Sequence, residues 1–189
     1  MKKILIIVGL LVIVLGGGAT GFILWQKAQW QPVKLDEVGV TFMAHKLLKP
    51  GQLTEDDKKS KILYRVTQNG DKSLLITARY EDGLRLPTSL TRQELIPMLL
   101  TNIDKAYPQR FTGYKAVSTR NFDQNGHKAA ELIFTYDGPA GEKVKQRFLI
   151  IDLDGNRALY LAAQAKEADF IALNKKYFNR LFGSFTFET

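Results

Sequence analysis

Three side chains that could bind a metal ion stand at alternate positions in the second half of the chain. Asp152, Asp154 and Asn156 carry oxygen ligands at the spacing that opens a calcium-binding loop. The acidic residue that completes such a loop further downstream is missing. Because the segment also lies between two apolar runs, we interpret it as a hairpin turn and expect no metal site.

Residue types for acid–base or nucleophilic catalysis are present without a supporting arrangement. His45 and His127 are the only histidines, and His127 directly follows the turn signal Asn125-Gly126, where we expect solvent exposure. A Ser-His-Asp triad therefore has no support beyond the presence of its residue types. Glu81-Asp82 could form a paired acid and base, but acids beside a turn glycine are usually solvated.

The absence of cysteine narrows the chemistry further. With no Cys in 189 residues, disulfides, thiol catalysis, zinc-thiolate sites and lipid attachment through a cysteine are excluded. We therefore predict no catalytic, cofactor-binding or metal-binding residues, and a protein that is not an enzyme.

The charge is basic but dispersed. The net charge is +8, and the lysines and arginines are interleaved with acids along the chain. Nucleic-acid binding favours a basic stripe with aromatic residues, so we predict no nucleic-acid partner. A solvated basic surface is expected, with weak attraction to anionic lipid headgroups or wall polymers as the alternative.

The most specific segment of the sequence is its apolar beginning. Residues 4–25 carry no charge, and about 20 such residues span a bilayer as a helix. Lys2 and Lys3 precede the run, and Trp25 and Lys27 end it in the manner of a lipid–water interface. We predict an uncleaved transmembrane anchor with the N-terminus in the cytoplasm. The alternative is a cleaved signal peptide, whose removal would leave a new N-terminus near Gln29.

The chain therefore divides into three parts. Residues 1–25 are predicted to form the N-terminal transmembrane anchor, residues 26–36 a juxtamembrane linker, and residues 37–189 one extracytoplasmic domain. The location follows as a single-pass protein of the cell membrane. About 160 residues remain beyond the anchor, and this length suffices for one packed core.

Alternating apolar patterns and turn signals predict the elements of this domain. The first half shows strands at 38–42, 61–67 and 73–80, with Asn69-Gly70 as a tight hairpin turn. Thr91 and Glu94 form a capping box that starts a helix, with Leu90 as part of a hydrophobic staple. This helix should extend to Ala106, with a kink or a late start at Pro97.

The second half is predicted to be a four-stranded meander followed by a helix. The strands lie at 114–122, 128–136, 143–153 and 157–165, and a short strand at 184–187 ends the chain. The middle strands are apolar on both faces, so both faces must be covered. The second cover is a helix at 167–182, whose aromatic residues we assign to the core rather than to a lipid pocket: Phe170, Tyr177, Phe178 and Phe182. The element order predicts an α+β domain with helices packed on an antiparallel sheet.

Several motifs of the second half resemble the PsbP-like family, in its exported bacterial branch. They are Gly113 to Val117, Gly126 to Tyr136, Lys145 to Phe148, Asp154 to Tyr160 and the closing segment to Phe185. The resemblance covers roughly residues 113–187. It implies an α/β/α sandwich with a central antiparallel sheet flanked by two helices, and a non-catalytic binding or assembly role.

Together these observations favour a membrane-anchored, non-catalytic binding or assembly module that contacts a protein partner outside the cytoplasm. One alternative is a carrier or sensor of a small apolar or anionic ligand. A cell-envelope hydrolase is the least favoured hypothesis.

Overall fold

Nine strands form two antiparallel sheets in the residues that the computed structural model describes, which are residue 25 and residues 27–68, 73–84 and 91–188. The strands are β1 (Trp30–Leu35), β2 (Val40–His45), β3 (Ile62–Gln68), β4 (Leu74–Glu81), β5 (Lys115–Gln124), β6 (His127–Asp137), β7 (Lys143–Asp152), β8 (Ala158–Lys166) and β9 (Thr186–Phe187).

The helices are few. They are α1 (Glu55–Lys59), α2 (Arg92–Ala106), α3 (Glu167–Leu173) and α4 (Asn179–Gly183), with 3₁₀ turns at Asp36–Val38 and Tyr107–Gln109. A π-helical segment, Asn174–Phe178, joins α3 to α4. We call the whole stretch 167–183 the C-terminal helix. The sequence predicts one continuous α-helix here, and the structure differs from that prediction in its π-helical segment.

The larger sheet has six strands in the order β3-β4-β8-β7-β6-β5, and the smaller sheet has three in the order β1-β2-β9. The α+β class is confirmed. The expectation of one central sheet needs correction, because β1, β2 and β9 pair with each other and not with the six-stranded sheet.

Both faces of the six-stranded sheet are covered, as the two-faced apolar strands predict. Helix α2 packs on one face through Ile96 and Leu100, against alternate residues of β6 such as Leu132 and Phe134. The opposite face packs against the C-terminal helix and the three-stranded sheet in a second cluster that includes Phe42. Two helices thus flank the sheet, and the small sheet shares one of the two covering layers.

Strand β1 lies inside the segment that the sequence predicts as a linker. Trp30–Leu35 pairs antiparallel with β2, from Trp30 opposite His45 to Leu35 opposite Val40. Pro32 is tolerated because β1 is an edge strand of its sheet. The folded part of the chain therefore begins before residue 37.

The predicted capping box of α2 is confirmed. The Glu94 carboxylate accepts hydrogen bonds from the Thr91 backbone N–H at 2.8 Å and from the Thr91 hydroxyl at 2.7 Å. The helix accommodates Pro97 and ends at Ala106, as predicted. Leu90, the other part of the predicted N-terminal motif, lies outside the described residues.

Two further predictions also fall on residues outside the described part. They are the transmembrane anchor, apart from Trp25, and the Asn69-Gly70 turn. Within the described residues, no helix has both the length and the apolar character needed to cross a membrane.

Candidate functional site

The segment from Asp152 to Asn156 is the β7–β8 hairpin turn, as the sequence predicts. An Asp152 carboxylate oxygen accepts the Gly155 backbone N–H at 2.6 Å. The Asp154 carboxylate accepts the backbone N–H and the side chain of Arg157 at 2.8 and 2.7 Å. These carboxylates organise the turn. Across the described residues, no three His, Asp or Glu side chains are grouped to hold a metal ion.

The other candidates for chemistry lie apart from one another. His127 is half-buried rather than exposed, because its ring stacks on Phe187 with centroids 3.8 Å apart. Its Nδ1 lies 2.8 Å from the Asp152 carbonyl oxygen. Glu81 and Asp82 are exposed at the end of β4, where Lys61 forms an ion pair with Asp82. The structure therefore brings His127 near Asp152 but not near Glu81-Asp82.

The aromatic residues of the C-terminal helix belong to the core, as predicted. Four of them are at most 5% exposed, namely Phe170, Tyr177, Phe178 and Phe182. They pack under the six-stranded sheet in the same cluster as Phe42 of β2.

A buried ionic cluster lies between the sheet and the C-terminal helix. Glu131 of β6 accepts the Nε–H of Arg147 at 2.6 Å with one carboxylate oxygen, and the Nε–H of Arg120 at 2.9 Å with the other. Glu131 and Arg147 are only 5% and 7% exposed. The Arg147 guanidinium also lies 4.4 Å from the ring centroid of Phe182. The Glu131–Arg147 ion pair is thus enclosed by Arg120 and Phe182 inside the fold.

The π-helical segment completes this cluster. Arg147 Nη1 donates to Asn174 Oδ1 at 3.1 Å and to Asn179 Oδ1 at 2.9 Å. Residues five apart point roughly 140° from each other on an α-helix. The wider turn between Asn174 and Asn179 brings both amides to one guanidinium. The cluster fixes the position of the C-terminal helix on the sheet.

Strand β5 forms an open edge of the six-stranded sheet. Its first seven residues, 115–121, are all exposed. Helix α2 packs mainly on β6 and β7, and the C-terminal helix packs mainly on β7 and β8. A shallow pocket lies between α2 and residues 121–123 of β5. Among the described residues, β5 pairs only with β6. Its outer row of backbone N–H and C=O groups is therefore available for pairing with another chain.

A β-bulge divides this open edge. The pairing register with β6 shifts between Ala116 and Ser118, and Val117 has no partner in the register. Val117 is 50% exposed. Bulges and charged residues on an edge strand disfavour indiscriminate pairing. The bulge thus leaves a regular edge from Ser118 to Gln124.

The second surface feature is a cleft of about 640 Å³ between β1, β2 and the C-terminal helix. It is larger than the cleft of about 360 Å³ beside His127. Aromatic and basic residues dominate its lining: Trp25, Gln29, Trp30, His45, Ala172, Lys175, Lys176 and Arg180.

His45 forms part of the wall of this cleft. Its ring contacts Trp30 and Tyr177 edge to face, with centroid distances of 5.2 and 5.1 Å. Its Nδ1 accepts the Leu47 backbone N–H at 3.2 Å. Burial lowers the pKa of His45, and the charge of Lys176 lowers it further. At neutral pH the ring is therefore neutral, and the cations of the cleft are the lysines and Arg180.

Sequence reasoning missed both surface features for identifiable reasons. The cleft joins residues near 30 and 45 to residues near 176, and no local pattern connects them. The polar residues of β5, from Ser118 to Asn121, are a local signal of an uncovered strand. That signal could have identified the open edge.

The comparisons with known proteins define the fold. No protein-family model matches this chain, and no curated protein matches its sequence. Several solved structures share the fold, and three of them illustrate it. PA94 of Pseudomonas aeruginosa, a protein of unknown function, superposes with a TM-score of 0.55 at 10% identity, covering 85% of this chain and 99% of PA94.

The other two are cyanobacterial PsbP (CyanoP) from Synechocystis sp. PCC 6803 and LpqN of Mycobacterium tuberculosis, which is involved in cell envelope biogenesis. CyanoP has a TM-score of 0.59 at 10% identity and LpqN one of 0.57 at 14%. The matches cover 85% of this chain, with 94% of CyanoP and 91% of LpqN. The predicted PsbP-like resemblance is thus supported as a resemblance of fold, and it extends beyond residues 113–187.

Proposed function

We propose that this chain is a membrane-anchored, non-catalytic binding module, displayed outside the cytoplasm, that takes a protein partner along β5. The observation that carries the proposal is the open edge of the six-stranded sheet. The partner is an extended segment of another protein that adds a strand beside Ser118–Gln124.

The chemistry of this edge supports strand addition. An added strand gains backbone hydrogen bonds from the unpaired outer edge, and side chains exposed on both faces supply specificity. Arg120 lies over the ring of Phe122, with its guanidinium 4.6 Å from the centroid. Because Glu131 holds this arginine, the surface beside the edge is pre-organised.

The membrane attachment rests on the sequence. Residues 4–25 are apolar and uncharged, and Lys2 and Lys3 before them favour a cytoplasmic N-terminus. The folded part begins at Trp30, a few residues after this run. The domain therefore sits close to the bilayer, where its partner must also be accessible.

Site-specific photocrosslinking in intact cells tests the partner surface. A benzophenone amino acid is placed in turn at Thr119, Asn121 and Asp123, which are exposed and lie two residues apart in the regular part of β5. Strand addition predicts adducts to one protein, with crosslinked partner residues that also advance by two from one probe position to the next. The matched control is Thr67, an exposed threonine on β3 at the other edge of the sheet.

Crosslinks from Thr67 equal to those from Thr119 would contradict the assignment to β5. Adducts whose partner positions do not follow the two-residue period would contradict strand addition, even if a protein were captured.

Alkaline carbonate extraction and mass spectrometry of the mature N-terminus test the anchor separately. We expect the chain to stay in the membrane pellet with its N-terminal segment intact. A mature protein that starts near Gln29 would overturn the anchor and leave the β5 surface untouched.

A further inference from the structure

Three cations line the cleft between β1, β2 and the C-terminal helix. Lys175, Lys176 and Arg180 are exposed, and none of them forms an ion pair with another described residue. Among the residues that the structure describes, no acidic residue lines the cleft. Three like charges that converge without an acid favour an anion between them.

Aromatic rings hold two of these cations in place. The Arg180 guanidinium lies 4.7 Å from the ring centroid of Trp30, and the Lys176 ammonium lies 4.9 Å from that of Tyr177. Such contacts orient the cations without using their hydrogen-bond donors on an acid. The donors of Arg180 can therefore bind a phosphate oxygen, which a guanidinium can chelate in bidentate fashion.

Exposed apolar side chains cluster around the same cleft. Trp25 on its wall is 59% exposed, and Leu47, whose N–H is bonded to His45, is 65% exposed. Ile171 is 78% exposed and stands four residues before Lys175 on the same helix, where side chains are neighbours. Large apolar side chains beside lysines are typical of a surface that rests on a lipid interface.

We infer that this cleft binds the phosphate-bearing headgroup of an anionic phospholipid at the membrane surface. The inference rests on the membrane attachment in the proposed function, since Trp25 ends the apolar run and also lines the cleft. A span that ends at Trp25 brings the cleft to the level of the headgroups. The exposed apolar residues around it favour a lipid over a free phosphate ion.

Intrinsic fluorescence tests the inference directly, because Trp25 and Trp30 are the only tryptophans and both line the cleft. The full chain in neutral detergent micelles is titrated with dihexanoyl phosphatidylglycerol, with dihexanoyl phosphatidylcholine and with inorganic phosphate. We expect a saturable fluorescence change with phosphatidylglycerol, and little change with the other two.

A charge-matched pair of variants localises the binding. The cleft variant K175Q/K176Q/R180Q and the control K58Q/K59Q/K105Q each remove three exposed cations. We expect phosphatidylglycerol affinity to fall on the order of 100-fold in the cleft variant, and less than about threefold in the control. R180K, which keeps the charge and loses the planar stacking group, should fall between wild type and the cleft variant.

Equal losses in the cleft and control variants would overturn the site, since they would indicate net charge alone. Saturation by inorganic phosphate at the same concentration would overturn the lipid as ligand. If the triple variant does not fold, K175Q/K176Q keeps the Arg180–Trp30 contact and must still lower the affinity. Binding in micelles does not depend on the membrane anchor. If carbonate releases the chain from the membrane and the chain still binds phosphatidylglycerol, the anchor is refuted and the cleft is not.

Discussion

The two edges of the six-stranded sheet differ, because the β3 edge is covered and the β5 edge is open. At β3, residues 49–60 lie along the edge, and we call them the cover segment. The Gly51 backbone N–H donates to the Arg65 carbonyl oxygen of β3 at 3.0 Å, and Arg65 forms an ion pair with Asp57 of α1 at 2.8 Å. At β5 no described segment performs this role, and residues 115–121 are exposed.

The inner support of the two edges also differs. On β3, Tyr64 and Val66 are 3% and 2% exposed and belong to the core. On β5, Phe122 packs against the core but is only partly buried, and Arg120 is tied to the sheet through Glu131. An edge with buried side chains and a cover segment contributes stability. An edge that is open and bulged, and that is anchored to the next strand through Glu131, can pair with another strand without disrupting the core.

Removing the inner support of the open edge should have the largest effect on stability. Glu131→Ala leaves Arg147 buried without its carboxylate and releases Arg120. We expect a loss of about 3–5 kcal/mol in the free energy of unfolding, because a buried cation without its partner keeps its desolvation cost. Urea denaturation in detergent micelles measures the loss, and hydrogen exchange should accelerate in β5 more than in β3.

The control is Glu37→Ala, an exposed glutamate in the turn before β2, which should change the unfolding free energy by less than about 0.5 kcal/mol. Glu131→Gln keeps an acceptor and should lose less than Glu131→Ala. Equal exchange in β3 and β5 after Glu131→Ala would contradict separate support of the two edges.

Weakening the cover segment should have a smaller effect at the other edge. The Thr54 hydroxyl accepts the Asp57 backbone N–H at 3.1 Å, and Asp57 accepts the Thr54 N–H at 3.0 Å, which caps α1. Thr54→Ala should cost about 1 kcal/mol of unfolding free energy and raise hydrogen exchange in β3 but not in β5. Thr101→Ala, at an exposed position in α2, is the control; exchange that rises equally at both edges would refute local coverage.

Local patterns in the sequence were sufficient for most elements of the six-stranded sheet. The Asn125-Gly126 turn adopts positive φ at both residues, at 50° and 88°, which is the conformation that the two residue types tolerate. The Thr91–Glu94 capping box likewise predicts the start of α2, and the two-faced apolar pattern of β6 predicts its burial on both faces. Both patterns span only a few residues. Each of these predictions depends on contacts close in the sequence.

The small sheet and the candidate sites depend on contacts that are distant in the sequence. Strand β2 pairs with β9 across more than 140 residues, so no local pattern assigns β9 to the small sheet. Strand β1 is close to β2 in the sequence, with Leu35 opposite Val40, but Pro32 makes this segment resemble a linker. Arg147 meets Asn174 and Asn179 only because the helix widens between them. The cleft similarly needs the C-terminal helix to dock beside β1 before Arg180 can reach Trp30.

Acid should weaken the covered β3 edge more than the open β5 edge. We expect its effect on stability to be smaller than that of Glu131→Ala or Thr54→Ala. The Thr54 backbone N–H lowers the pKa of Asp57 below its usual 3.8, the Thr54 hydroxyl and Arg65 lower it further, and burial opposes them. Because the folded pKa lies below the unfolded one, the unfolded chain binds more protons in acid. This stabilisation is present above pH 3.8 and is lost as the pH falls through the folded pKa.

Hydrogen exchange measures this difference as the ratio of protection in β3 to protection in β5, in which the intrinsic pH dependence of exchange cancels. We expect the ratio to fall as the pH is lowered below about 4 in the wild type, and to stay nearly constant in Asp57→Asn. Lys61 likewise lowers the pKa of Asp82 near the start of β3, so Asp82→Asn must retain the fall if Asp57 is responsible. A ratio that falls equally in Asp57→Asn would assign the acid sensitivity to another group and remove Asp57 as the residue that holds the cover segment on β3.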